Sequence, residues 1–297
     1  MAYNKDMLYF SLPDFYNFYI LNLTLLSSME KNKEYYRDNI VIDSMYGCFP
    51  GCIFNGGRLQ NGIANRDYIL ANFKGIYDNN VSVRLTFTNQ FITEEQYNDT
   101  YARTILECGN NSMNGINVAS IEFANWLEKH YPNYYIMYST KMNNVNTVED
   151  VNKLSEKNLI VLPYTMNNNV DILEKCKHPD NIELLCSEAC IDNCPNRKHH
   201  YEEIDKAQMG YDSEAFRCPH NCELYVYNTD IITNLRKHHI TYEDMIDFYI
   251  PRGFNKFKIS GRNDNIINVI ERYVEYFAKP EYRDIVRSTL LINCVRN

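Results

Sequence analysis

No stretch of this chain approaches the run of about 20 apolar residues that a membrane helix needs. The most apolar segment, Tyr19-Ile-Leu-Asn-Leu-Thr-Leu-Leu26, is short and interrupted by polar residues. It also lacks a positive n-region and an A-x-A-like cleavage site, so it does not read as a secretion signal, and a cytoplasmic address is expected. Positive charge is the minority sign: 30 Lys and Arg against 38 Asp and Glu give a net charge of -8. A general pull toward nucleic acid or anionic lipid is therefore excluded. Glycine (11) and proline (9) are few, and no Gly/Ser/Pro-rich linker or low-complexity block divides the chain. The G-x-S-x-G elbow, the H-E-x-x-H zinc motif and the GxxxxGK[ST] phosphate loop are all missing, which removes the common hydrolytic and nucleotide-binding sets.

What is there fits a globular protein, with 45% hydrophobic and 23% charged residues in 297, enough for one large α/β barrel or two ordinary domains. Residues 11–36 read as a helix, with Ser11, Pro13 and Asp14 as start signals and Phe15, Phe18, Leu21 and Leu25 on an apolar face. Beyond it, short apolar runs alternate with amphipathic segments. The strands expected are 40–46, 81–88, 115–119, 134–139, 159–163, 182–186 and 254–259, with 223–227 as a weakly marked eighth. Helices are expected at 66–77, 94–107, 120–129, 148–157, 242–249 and 264–277. Repeated β-then-α units imply a parallel sheet with helices outside. Their number and spacing fit a (β/α) barrel of the TIM type. The division predicted is an N-terminal helical extension, 1–39, and a barrel domain, 40–297, with a Cys-rich insertion at 186–222.

Ten cysteines are present, and Cys186, Cys190, Cys194, Cys218 and Cys222 fall close together. In a reducing compartment such a cluster points to metal before disulfides. The three-residue spacings let Cys186, Cys190 and Cys194 act together, with Cys218 or, alternatively, Cys222 completing the set. Four thiolates suit a [4Fe–4S] cluster or tetrahedral zinc, and spacing does not choose between them. C-x3-C-x3-C differs from the C-x3-C-x2-C of radical-SAM enzymes. Cys48, Cys52, Cys108, Cys176 and Cys294 read as core residues.

Residues just past the strand ends face the mouth of such a barrel, which singles out Tyr46, Asn89, Ser120, 139–141, Tyr164, Cys186 and 261–262. Arg58 follows paired glycines that let the backbone approach a ligand, and its guanidinium suits a carboxylate or phosphate. Lys258, if it points inward, needs a buried partner or a function, because an isolated buried charge is costly. Lys141 is a candidate substrate cation. His200, in His199-His200-Tyr201, is a candidate proton donor at neutral pH.

Lys258-Ile259-Ser260-Gly261-Arg262 resembles the K-I-E-G-R signature of the collagenase-like peptidase family of unassigned catalytic type. That family includes prephenate-dependent RNA hydroxylation proteins and oxygen-independent ubiquinone hydroxylation proteins. Looser matches follow in order: Gly56-Gly57-Arg58, Leu85-Thr86-Phe87-Thr88-Asn89, Ser139-Thr140-Lys141 in place of Ser-Thr-Gln, and 184–197 where the family runs into Cys-rich sequence. The likeness spans 40–278. Ser260 replaces the signature Glu, and the cysteine spacing is compressed. The resemblance implies a (β/α) barrel, a four-Cys [4Fe–4S] cluster and, for several members, hydroxylation without molecular oxygen.

The expected function is thus an iron–sulfur barrel protein of the oxygen-independent hydroxylase kind. Tyr46 and His200 would be catalytic, and Arg58, Asn89, Lys141, Lys258 and Arg262 would bind a small aromatic or nucleotide-like substrate. No membrane is involved, and a partner protein is left open. The rival expectations are a metal-stapled interaction scaffold without catalysis and a peptide hydrolase.

Overall fold

A computed structural model describes residues 4–142, 145–188, 190, 194–212, 238–262 and 264–295. Among these residues eight parallel strands close into a barrel in sequence order. They are β1 (Leu8–Pro13), β2 (Ile40–Gly47), β3 (Ser82–Phe87), β4 (Gly115–Val118), β5 (Tyr135–Tyr138), β6 (Leu159–Val161), β7 (Ile182–Leu185) and β8 (Lys256–Lys258). The helices are α1 (Tyr19–Lys31), α2 (Arg66–Tyr77), α3 (Thr100–Cys108), α4 (Ile121–His130), α5 (Val148–Ser155), α6 (Val170–Leu173), α7 (Arg197–Gln208), α8 (Ile266–Phe277) and α9 (Arg283–Val295). A further turn at Tyr242–Asp244 continues as π-helix through Met245–Tyr249. The TIM-type architecture expected from the alternation is the one observed.

The eighth strand is not where the sequence reading placed it. The expected N-terminal helical extension, 1–39, contains a barrel strand: Leu8–Pro13 pairs with both β2 and β8 and closes the barrel. Its side chains are almost all buried, since a strand covered on both faces reads as a continuous apolar run rather than an alternating one. Ser11, Pro13 and Asp14, read as helix-start signals, instead end the strand. Asp14 takes a left-handed conformation (φ 53°), and its carboxylate accepts hydrogen bonds from Asn17 N and Nδ2. The helix therefore begins only at Tyr19. The candidate strand 223–227 lies outside the described residues.

Helix starts are locally encoded. Asn65, Asp99 and Ser120 accept hydrogen bonds from the backbone of Tyr68, Ala102 and Phe123. Thr147 and Asp150 form a reciprocal box at the start of α5. Each satisfies backbone donors that would otherwise be orphaned, typically about 1 kcal/mol per cap. An aromatic layer packs the helices on the barrel: Phe10 contacts Phe257, Tyr276 and Phe277, and Phe54 contacts Phe87 and Phe123.

The barrel interior is polar below the mouth. Arg84, fully buried on β3, donates to Glu183 on β7 and to Ser11 on β1, pairs with Asp43 at 2.5 Å and donates to the Tyr135 hydroxyl at 2.8 Å. Burial alone would raise the Glu183 carboxyl, but Arg84 and then Lys258 outweigh it and hold the group below the usual carboxylate range. Arg84 thereby ties β3 to β1, β2, β5 and β7 through one buried guanidinium.

Candidate functional site

A cavity of about 100 Å³ opens at the C-terminal end of the barrel. Its wall is assembled strand by strand: Tyr46 from β2, Thr86 from β3, Asn117 from β4, Ser139 to Lys141 beyond β5, Leu185 and Glu188 from β7 onward, and Lys258 to Arg262 from β8. The loop after β2 adds Gly56, Gly57 and Arg58. That loop needs its glycines. A Cβ on Gly56 would fall 2.4 Å from the Thr88 carbonyl carbon, and Gly57 sits at φ 77°. The close approach delivers the Gly56 carbonyl to the Arg262 guanidinium.

Helix α7 straps this mouth. Arg197, Tyr201, Asp205 and Gln208 recur at helical spacing, and every one of them meets the barrel loops. Asp205, fully buried, accepts from Gly57 N at 3.0 Å, Gln90 N at 3.1 Å and Lys141 Nζ at 2.6 Å. Gln208 accepts from Gln60 N at 2.8 Å. Arg197 pairs with Glu188 at 3.0 Å and lies over the rings of Tyr164 and Tyr201 at 4.2 and 5.0 Å. The Arg197–Tyr201 pair also borders a second, outer groove of about 440 Å³ lined by Met142, Tyr164, Met166 and Cys194.

The cations are not equivalent. Lys141 is committed to Asp205 and to the Thr88 carbonyl; burial, partly offset by Asp205, pulls its ammonium down to about 8. Arg262 donates to Asn55 Oδ1 at 2.7 Å and to Thr86 Oγ1. Arg58 donates to the carbonyls of Arg262 and Gly57 at 3.0 and 2.6 Å. Lys258 differs: its Nζ rests 4.0 Å from the centre of the Tyr46 ring. Among the described residues nothing accepts a hydrogen bond from it. Burial lowers this ammonium to about 8, with Glu183 opposing and Arg84 and Arg262 reinforcing the shift.

Several buried polar atoms in the wall have no hydrogen-bond partner among the described residues: Asn117 Oδ1, Thr140 Oγ1, Ser260 Oγ and Arg197 Nη1. Each such atom costs about 1–3 kcal/mol unless something else satisfies it. They all line one cavity.

Of the residues predicted from sequence, the structure gathers Tyr46, Arg58, Lys141, Lys258 and Arg262 around this cavity. The Tyr46 hydroxyl donates to the Ile259 carbonyl at 2.7 Å, and burial raises its pKa, so the ring positions Lys258 rather than supplying a proton. Asn89 is used in the scaffold: its amide nitrogen donates to the Ile53 and Asp205 carbonyls and its oxygen accepts from Phe91 N. His200 lies on α7 but not in the cavity wall. Burial, followed by the field of Arg58 and Arg197, lowers it to about 4; it is neutral at pH 7 and carries no imidazolium proton to donate.

The cysteine expectation changes at its first member. Leu185 faces the cavity, so the alternation of β7 turns Cys186 outward. Its thiol donates to the Lys258 carbonyl at 3.4 Å, burial raises its pKa, and it sits in the layer packed by Tyr276. Cys190 packs instead with Met137, Val161, Tyr164 and Leu185, and Cys194 borders the outer groove. Cys186 therefore does not fit a shared centre with them. Among the described residues no three His, Cys, Asp or Glu side chains converge on a metal position, and Cys218 and Cys222 lie outside those residues.

Asp205, Arg197, Tyr201, Glu188 and Glu183 were not anticipated. For Arg197, Tyr201 and Asp205 the signal was the i, i+4, i+8 repeat on α7, which in a helix this polar looks like a solvated face; Glu183 and Glu188 are not part of that helix. Ser260 was reachable by the strand-end rule, one residue from a position it selected, whereas Asn117 lies inside β4.

No protein-family model matches the chain, and no curated protein matches it. Among solved structures it is similar to one described as the structure of the U32 peptidase Mk0906, at TM-score 0.51 and 11% identity, over 89% of this chain and 97% of that one. The likeness establishes a shared barrel architecture. In addition, no helix among the described residues is long and apolar enough to cross a membrane.

Proposed function

We propose that the barrel mouth binds a small anionic molecule and acts on it as an enzyme. The observation that carries this reading is the set of buried, unpartnered atoms facing one cavity: Asn117 Oδ1, Thr140 Oγ1, Ser260 Oγ and Arg197 Nη1. A ligand with several oxygens would satisfy them at once. The sign of its charge follows from the wall, where Arg58, Lys141, Arg197, Lys258 and Arg262 outnumber the single carboxylate, Glu188. The volume favours a molecule of a few carbons over an extended polymer.

The test is a ligand panel of phosphate, pyruvate, glyoxylate and their uncharged analogues, read by thermal shift and calorimetry. Anions should raise the melting temperature by mass action. Thr140→Val removes a hydroxyl that has no protein partner among the described residues, so it should weaken binding about tenfold with little loss of stability. Stabilisation by the neutral analogues but not by the anions would end this reading.

A second reading, peptide hydrolysis, is supported by the peptidase description of the structural neighbour and by the outer groove beside the cavity. Cleavage of casein or gelatin by protein from a protease-deficient host would favour it. The iron–sulfur hydroxylation reading now rests on Cys190, Cys194, Cys218 and Cys222 as the thiolate set. Iron and acid-labile sulfide in anaerobically purified protein would support it, stoichiometric zinc would support the stapled scaffold, and neither metal would remove both.

A further inference from the structure

We propose that Lys258 is a nucleophile that condenses with the carbonyl carbon of a small oxo acid whose carboxylate is held by Arg262 and Arg58. The proposal rests on the anion-binding reading above and adds to it the substrate class and the reacting atom. Lys258 ends β8, is only 6% exposed and lines the cavity. Its Nζ is steered by the Tyr46 ring at 4.0 Å and is not consumed by any ion pair among the described residues, unlike Lys141 with Asp205. A lysine that serves only as a counter-charge is hydrogen-bonded to its partner; a lysine that attacks carbon must keep its lone pair accessible and spend part of its time unprotonated. The groups acting on Lys258 are Glu183 from β7, Arg84 from β3 and Arg262 beyond β8, with Tyr46 from β2. Burial among them is what favours the neutral amine near pH 8.

The step balances without an outside oxidant. The Nζ–C bond forms, the carbonyl C–O bond breaks, and the oxygen leaves as water with the two amine protons, giving an imine on Lys258. Glu183, the carboxylate that acts most strongly on Lys258, has one buried oxygen, Oε2, without a partner among the described residues. It is the group we assign to relay a proton as the carbinolamine loses water.

The experiment is reductive trapping. Full-length protein is incubated with pyruvate or glyoxylate, reduced with sodium borohydride, digested and mapped by mass spectrometry. The expected result is a gain on the Lys258 peptide equal to the free acid less one oxygen atom, absent without the oxo acid. Lys258→Arg keeps a cation but cannot condense; it should retain anion binding and lose the label. Labelling of Lys141 or of surface lysines instead of Lys258 overturns the proposal. Pyruvate that raises the melting temperature of the wild-type protein yet leaves no label overturns it too, while leaving the anion-binding reading intact. Failure of both readouts takes the two readings down together, and the wild-type peptide map decides even if the variant does not fold.

Discussion

Lys258→Met should make the protein more stable at pH 7 while removing the amine proposed to condense with an oxo acid. The ammonium sits at about 8 where an ordinary lysine lies at 10.5, and that gap corresponds to about 3 kcal/mol against the charged form. Methionine fills a similar volume without the charge, but it loses the cation–π contact with Tyr46, worth about 1–2 kcal/mol when desolvated. The net gain at pH 7 is then about 1–2 kcal/mol. The sign with pH follows from linkage. The folded pKa is depressed, so between about 8 and 10.5 the unfolded chain holds the proton that the folded one has released. Wild-type stability therefore rises with pH across that window. The advantage of the variant should shrink by about 2 kcal/mol between pH 7 and pH 9.5. Lys141 titrates in the same range but is common to both proteins and cancels in the difference. Urea unfolding of both proteins at the two pH values measures it. A variant that is less stable at pH 7, or a difference indifferent to pH, refutes the reasoning.

Further outcomes follow from the same geometry. Lys141→Met strands a buried carboxylate at Asp205, so chemical denaturation should show a loss of about 3–5 kcal/mol, with much of it recovered when Asp205 is also replaced by Leu. Arg84→Met leaves Glu183 in the barrel without its main counter-charge, and a loss of similar size, about 3–5 kcal/mol, is expected in the same assay. Gly56→Ala places a methyl group within 2.4 Å of the Thr88 carbonyl carbon; expression, far-ultraviolet dichroism and pyruvate binding should show a distorted mouth in a chain that keeps its helices. Cys186→Ser puts a hydroxyl into an apolar layer and should lower stability by about 1–3 kcal/mol. Cys194→Ser, at the groove, should leave stability within about 0.5 kcal/mol; equal losses at both positions would contradict the separation of the two thiols.

The barrel was legible because β-then-α alternation is a property of local periodicity, and the strands from Ile40 to Lys258 appear within a few residues of their expected bounds. Leu8–Pro13 was missed because β8, the partner on its second edge, lies far along the chain, while Ser11, Pro13 and Asp14 are chemically good helix-start residues. The strand-end rule brought Tyr46, Lys141 and Arg262 to the mouth correctly. It also selected Cys186, where one step of alternation sends the side chain to the opposite face. Among the described thiols, Cys186 and Cys190 are close in sequence but pack in different layers. Helix α7 was unreadable for another reason: Asp205 and Arg197 are residues of ordinary surface character, and only the loops from β2, β3 and β5 make them interior.

The wheel of strands is sealed by its first and last spokes, with Phe10 beside Phe257. On the ribosome Leu8–Pro13 must therefore wait until Lys256–Lys258 has been made before its second hydrogen-bonding edge is covered. During that interval Leu8–Pro13 is an apolar ribbon with one flank bare, the kind of edge that recruits strangers. Pairing across that gap is the long-range contact of folding, and a chaperone-poor host should yield aggregates nucleated by Leu8–Pro13.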